Sequence, residues 1–205
     1  MKNKKLKVAV TGNIGSGKST FCNFLSESGY PVINADNIAK YLLDSDDSLK
    51  QNIISAFGKN LYSDNKINRK LFSETIFSNR QNLIKANALI HPAVKKVIAK
   101  KIETEYENRE MVFVEAALTF EAGSVSFYDF IVLVTSQIQL RMKRKTKDNL
   151  LTEAEFLIRD SFQMKEEEKI KKADFVIKND GTIDELKSKA LFLIQLLKSL
   201  SPSSA

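Results

Sequence analysis

The chain of 205 residues carries one cysteine, Cys22, and one histidine, His91. A lone thiol excludes an internal disulfide and a cysteine-based zinc cluster, and it suits a reducing compartment. No apolar run approaches the roughly 20 residues needed to span a membrane. The start Met1-Lys2-Asn3-Lys4-Lys5 is basic, but the apolar stretch after it is short and runs into a glycine-rich loop, unlike a secretory signal. The expectation is a cytoplasmic protein with no membrane partner. Internal repeats and low-complexity domains are absent from the sequence. Acidic residues are in deficit: 25 Asp and Glu against 32 Lys and Arg leave a net charge of +7. That excess suits a polyanion, whether nucleic acid, an acidic membrane surface or a phosphate-rich small molecule. The remainder is ordinary, with 43% hydrophobic and 28% charged residues, enough to bury one core at this length.

The strongest signal is Gly12-Asn13-Ile14-Gly15-Ser16-Gly17-Lys18-Ser19-Thr20, directly after the apolar run Val8-Ala9-Val10. It fits G-x-x-x-x-G-K-[ST], the P-loop pattern. A strand feeds a turn whose backbone N–H groups cradle phosphates, and the helix that follows adds partial positive charge at its start. Lys18 would reach the β- and γ-phosphates, and the Ser19 hydroxyl would ligate Mg²⁺. The spacing of the glycines rules out the dinucleotide fingerprint G-x-G-x-x-G. With a P-loop present, a phosphate-rich small substrate is the economical explanation of the charge, without a nucleic-acid partner.

Apolar patterning places strands at Lys7–Thr11, Pro31–Asn34, Met111–Val114, Phe130–Val134 and Ala173–Lys178. Helices are expected at Lys18–Ser28, from Asp36 to Leu43, at Ser48–Phe57, at Asn68–Phe77 and over most of Asn79–Asn108, with an interruption at His91-Pro92. Leu61–Ile67 reads as an irregular connection. Gln137–Lys147 reads as a basic helix, Thr152–Gln163 as a helix opened by a capping box, and Thr182–Leu200 as an amphipathic terminal helix. The charge run Lys165-Glu166-Glu167-Glu168-Lys169 reads as a solvated helix face. Strands alternating with helices give a three-layer α/β fold with a five-stranded parallel sheet. The expected organisation is a single domain with its core at 1–35, 109–138 and 170–200, a helical insertion at about 36–108, a lid at about 139–165 and a disordered tail at 201–205.

Asp36 ends the second strand, where an open parallel sheet lines its ligand crevice. A carboxylate there can orient an acceptor hydroxyl and take its proton. Capping of the next helix is the alternative, and the two roles are compatible. Arg141, Lys143, Arg144, Lys145 and Lys147 cluster after the fourth strand, where a lid would deliver cations to a transferring phosphoryl group. His91 lies before Pro92, which favours a structural or substrate-shaping role over acid–base chemistry.

Taken in order, these stretches resemble the dephospho-coenzyme A kinase family over roughly residues 7 to 195. Val10–Thr20 is similar to its P-loop, and Val32-Ile33-Asn34-Ala35-Asp36-Asn37-Ile38-Ala39 to its "D-A-D-x-I-A" stretch. Ile67-Asn68-Arg69 with Leu71 and Ile76-Phe77, Leu89-Ile90-His91-Pro92, Ala117-Leu118-Thr119-Phe120-Glu121, and Ala173 to Gly181 resemble its further motifs. The resemblance implies a P-loop nucleotide kinase fold and transfer of the γ-phosphate of ATP to the ribose 3′-hydroxyl of dephospho-CoA, with Mg²⁺. It implies catalytic roles for Asp36, Lys18 and the lid's Arg144. Gly12 through Thr20, with Lys178 and Asn179 near the adenine, would bind ATP. The helical block, with Arg69 and His91, and Leu118 would bind the acceptor.

The chain departs from the family pattern at several points. Asn34 stands for the first Asp, Ala117 for a proline and Thr119 for a leucine. The lid pattern reads Arg144-Lys145-Thr146-Lys147-Asp148, one residue short, and lysine at 147 cannot make arginine's bidentate phosphate contact. Other readings are a different small-molecule P-loop kinase, a nucleotide switch or nucleic-acid-dependent ATPase, and a family member that binds ATP without phosphoryl transfer. The switch or ATPase reading wants an aspartate at the end of the third strand; Glu115-Ala116 stands there instead, and Glu115 is not assigned a metal role.

Overall fold

Strands whose residues are apolar almost without a break occupy the middle of the sheet, because both of their faces are covered. The computed structural model describes residues 5–147 and 151–200. The tail expected at 201–205, and Asp148 of the lid pattern, lie outside them. In chain order the elements are β1 (Leu6–Thr11), α1 (Lys18–Glu27), β2 (Val32–Asn34), α2 (Ala35–Ser45), α3 (Asp47–Phe57), β3 (Tyr62–Ser63), β4 (Lys66–Ile67), α4 (Arg69–Ile76), α5 (Arg80–Glu105), β5 (Met111–Glu115), β6 (Phe130–Thr135), α6 (Ile138–Thr146), α7 (Glu153–Ser161), α8 (Glu166–Ile170), β7 (Phe175–Lys178) and α9 (Ile183–Leu200).

The chain forms two compact units, one holding residues up to 34 and from 101 onward, the other residues 35–100. The first contains the expected five-stranded parallel sheet, in the order β2-β5-β1-β6-β7. Central β1 pairs with β5 on one side and β6 on the other, so the strand order reverses about it and a crevice opens at the strands' carboxyl ends. Val8, Val10, Phe113, Val132 and Val134 of the sheet pack with Phe21, Cys22 and Leu25 of α1 and with Leu186, Ala190, Leu193 and Leu197 of α9. Cys22 is buried in that layer. Burial pushes its thiol pKa well up; the Glu115 carboxylate adds to the rise and Lys18 opposes it.

The second unit is helical apart from a two-residue hairpin, β3–β4, where the sequence suggests only an irregular connection. The turn residues Asp64 (φ 49°) and Asn65 (φ 63°) are both left-handed, the geometry a tight hairpin requires and these side chains tolerate. Three further expectations are corrected. Helix α5 runs from Arg80 to Glu105 without a break, with Pro92 inside it. A proline costs a helix interior roughly 3 kcal/mol, and full burial returns about 1.5–3 kcal/mol for each large apolar side chain. Leu83, Ile90, Val94, Ile98 and Ile102, all buried along one face, outweigh the proline. Helix α2 starts at Ala35, so Asp36 sits in its first turn rather than at its cap. Finally, the charge run after α7 forms the short helix α8, and its Lys169 is fully buried rather than solvated.

Candidate active site

The P-loop leaves the carboxyl end of β1 and turns into α1. Gly15 (φ +79°) and Gly17 (φ +91°) take left-handed conformations that other residues rarely adopt. A side chain would not fit at either: a Cβ on Gly15 would strike the Arg141 carbonyl, and one on Gly17 the Asn179 amide. The obstacle is backbone beside Gly15 and a hydrogen-bonded side chain beside Gly17. The Ser16 hydroxyl is buried with no hydrogen-bond partner.

At the carboxyl end of β5, one step across the sheet, Glu115 is 4% exposed and gathers three groups. The Ser19 hydroxyl donates to its Oε1 (2.6 Å), the Asn34 side-chain amide donates to Oε2 (2.7 Å), and the Lys18 ammonium lies 3.5 Å from Oε1. Sequence reasoning passes over Glu115 because it seeks an aspartate there. The usable signal is simpler: the apolar run Met111–Val114 ends in a carboxylate, and strand ends line the crevice. The extra methylene of glutamate lets it reach both the P-loop serine and its neighbour on β2.

Side chains from the carboxyl-terminal half of the chain hold the loop from outside. Arg141 is 4% exposed. It pairs with Asp160 and donates to the carbonyls of Ser136 (3.0 Å) and Ile14 (3.3 Å). Arg144 donates to the carbonyls of Gly15 (3.3 Å) and Asn179 (2.8 Å) and to the Ser136 hydroxyl (3.1 Å). The Asn179 amide donates to the Ser16 carbonyl at 2.8 Å. Asp180 accepts from the Ser136 hydroxyl and the Gln137 N–H, both at 2.9 Å. Those bonds, led by Gln137, hold its carboxyl below the usual aspartate range, with Arg144 and Lys178 contributing and partial burial opposing. Lys178 itself is exposed, its carbonyl capped by the Lys189 ammonium at 2.7 Å. With Arg144 and Lys145, the loop lines a cleft of about 270 Å³.

The structure thus brings together Gly12 to Thr20, Arg144 and Asn179, adds Glu115 with its partner Asn34, and turns Arg141 of the basic cluster toward Asp160 and the Ser136 and Ile14 carbonyls. Leu118 is half-buried in the turn after β5, where its carbonyl accepts the Ala122 N–H. The other expected residues belong to the helical unit. Asp36 is exposed in the first turn of α2. His91 is half-buried within α5. Arg69 pairs with Asp44 and donates to the Lys40 carbonyl at 2.7 Å, both on α2. Asp44 also accepts the Ile67 N–H at 3.0 Å, which fastens the hairpin to the same helix. Burial and the Asp44 charge push the Tyr62 hydroxyl up to about 12, with Arg69 opposing.

The donor set fits a nucleotide with its cation. A nest of glycines, one ammonium and one hydroxyl suit a polyphosphate. Among the described residues no group of three His, Cys, Asp or Glu side chains could hold a metal ion. Ser19 and Glu115 are the side chains here that would hold a divalent cation, and a site with so few protein ligands suits Mg²⁺.

The family model for dephospho-CoA kinase matches residues 6–185. Dephospho-CoA kinase from Protochlamydia amoebophila is 32% identical over 198 residues, covering 95% of this chain and 98% of that one. The Chlorobaculum tepidum dephospho-CoA kinase is 37% identical over 198 residues, covering 94% and 95%. Among solved structures, dephospho-CoA kinase from Campylobacter jejuni superposes with a TM-score of 0.67 at 31% identity, covering 93% of this chain and 96% of that one. The chain belongs to the dephospho-CoA kinase family.

Proposed function

We propose that this chain performs the reaction its family is named for, moving the γ-phosphate of ATP to the ribose 3′-hydroxyl of dephospho-CoA to give coenzyme A. The observation that carries the reading is the P-loop with Lys18, Ser19 and Glu115 already gathered at the carboxyl ends of β1 and β5. Phosphoryl transfer asks little covalent chemistry of the protein; it asks for placement and for neutralisation of charge on the equatorial oxygens.

In this reading the loop's inward N–H groups and the Lys18 ammonium hold the β- and γ-phosphates. Ser19 and Glu115 are the side chains that would hold Mg²⁺, Ser19 through its hydroxyl and Glu115 directly or through water. Bound there, the cation would supply positive charge against the charge that develops on the transferring phosphoryl group. Asn34 fixes the second oxygen of Glu115 and leaves Oε1 turned toward Ser19. Asp36 orients the acceptor hydroxyl and takes its proton as attack proceeds. Arg69, His91 and Leu118 receive the acceptor, while Lys178 and Asn179 lie beside the adenine. Arg144 keeps the loop's outer carbonyls in place and supplies a cation at the rim of the phosphate cleft. No described helix is long and apolar enough to cross a membrane.

The test is chromatographic detection of product from Mg-ATP and dephospho-CoA, with adenosine, AMP and single-stranded DNA in parallel. Coenzyme A formed only with dephospho-CoA is the expected result. ATP hydrolysis stimulated by DNA, with no phosphorylated acceptor, would overturn the reading.

A further inference from the structure

The segment joining α7 to α8 touches the first half of the P-loop at two points that no phosphate role explains. The Ile14 N–H donates to the Gln163 side-chain oxygen at 2.7 Å, and the Asn13 side-chain amide donates to the Met164 carbonyl at 3.3 Å. Met164 is itself pinned: its N–H donates to Glu121 Oε1 at 2.8 Å. That same oxygen lies 2.9 Å from the ammonium of Lys169, a side chain with no exposed surface.

Burying an ammonium is expensive, and replacing a buried ion pair by apolar side chains of similar size is often neutral or stabilising. Stability alone therefore gives little reason for Lys169 and Glu121. Burial lowers the Lys169 pKa, Glu121 restores part of it, and Lys18 is among the charges that Lys169 feels. Lys169 is thus electrostatically in range of the phosphate-binding lysine while being shut off from solvent, and Glu121, 16% exposed, lies between it and the surface.

We infer that Lys169, Glu121 and Gln163 are positioning residues for the nucleotide: the buried ion pair fixes Met164, and Met164 with Gln163 fixes Asn13 and Ile14 at the start of the phosphate cradle. None of them need touch substrate. The inference rests on the P-loop being a nucleotide site, but not on the identity of the acceptor. In this relay, Glu121 closes the Ala117-Leu118-Thr119-Phe120-Glu121 stretch, of which the proposed reaction uses only Leu118, and Lys169 closes the charge run, which that reaction does not use at all.

The deciding experiment is calorimetric titration of MgADP into the wild-type chain, the paired apolar replacement Lys169→Met with Glu121→Leu, and Gln163→Met, with thermal unfolding of each. The paired variant, which also loses the acceptor of the Met164 N–H, is expected to stay folded with a melting temperature within a few degrees of wild type yet bind MgADP about tenfold more weakly, the scale of one or two lost hydrogen bonds. Gln163→Met should weaken binding to a similar degree. Combining all three changes should weaken it no further than the worse of the two, because both act on the same segment. In steady-state assays KM for ATP should rise while KM for dephospho-CoA stays within twofold. Wild-type MgADP affinity in either folded variant, or fold-losses that multiply in the combination, would overturn the relay. If the wild-type chain binds MgADP but forms no coenzyme A, the acceptor assignment fails and the titrations still decide the relay.

Discussion

The two units build their candidate residues in opposite ways. In the sheet-bearing unit the contacts are long-range: Ser19 meets Glu115 across 96 positions, and Asn179 meets Ser16 across 163. In the helical unit Arg69 finds Lys40 and Asp44 only 29 and 25 positions away. The phosphate cradle is thus a product of the finished sheet, since its donors and acceptors meet only once β1, β5, β6 and β7 are aligned. The helical unit's candidates are set by neighbouring helices and a hairpin. Changes near the cradle should therefore damage chemistry steeply, and changes in the helical unit should alter one binding constant at a time, except at Asp36, the one residue there proposed to act on the reacting hydroxyl.

The largest effect is expected from Lys18→Ala, with transfer reduced by about 10⁴ or more, the scale carried by cations that neutralise a transferring phosphoryl group. Retained turnover in a coupled assay would break the comparison outright. Asp36→Asn should lower kcat by about 10³ with MgADP affinity unchanged; a fully active variant would sink its role as base. Next comes Glu115→Gln, which removes the charge and leaves one accepting oxygen where Glu115 has two. It should weaken Mg²⁺ binding, followed by Mn²⁺ paramagnetic titration, about ten- to a hundredfold. Arg69→Ala should raise KM for dephospho-CoA about tenfold and leave KM for ATP alone. Equal effects on both constants would erase the distinction between the units.

The smallest effect concerns pH. The Asp180 pKa is depressed in the folded chain, so its stabilisation is complete above the ordinary aspartate value of 3.8 and is lost as pH falls through the folded value. Asp180 is largely exposed, which limits the gain. Asp180→Asn should lower the melting temperature by about 1–2 °C at pH 7, with the difference shrinking as pH falls below the ordinary aspartate value. A gap that widens on acidification would contradict the assigned bonds.

Much of the fold is legible in the amino-acid sequence alone. The P-loop, the five parallel strands and the capping box at Thr152 depend on local pattern, and local pattern is what a sequence displays. The features that escape such a reading are decided by tertiary packing. Pro92 reads as a break because its penalty is local, while the burial that overrides it lies along 20 residues of helix. Lys169 reads as solvated because its partner, Glu121, is 48 positions away. Glu115 is visible as a strand end but not as a hub, since its three partners come from two other segments.

Cys22 bears on how the chain can be handled. Both the acceptor and the product proposed for it carry a free thiol, yet its own single thiol is packed behind the P-loop and held in the protonated form. The folded protein should neither form mixed disulfides with those thiols nor react with thiol-directed reagents. A cysteine introduced on any exposed helix would then be the one position to take a maleimide dye, so that fluorescence could follow the helical unit during turnover without first removing a native residue.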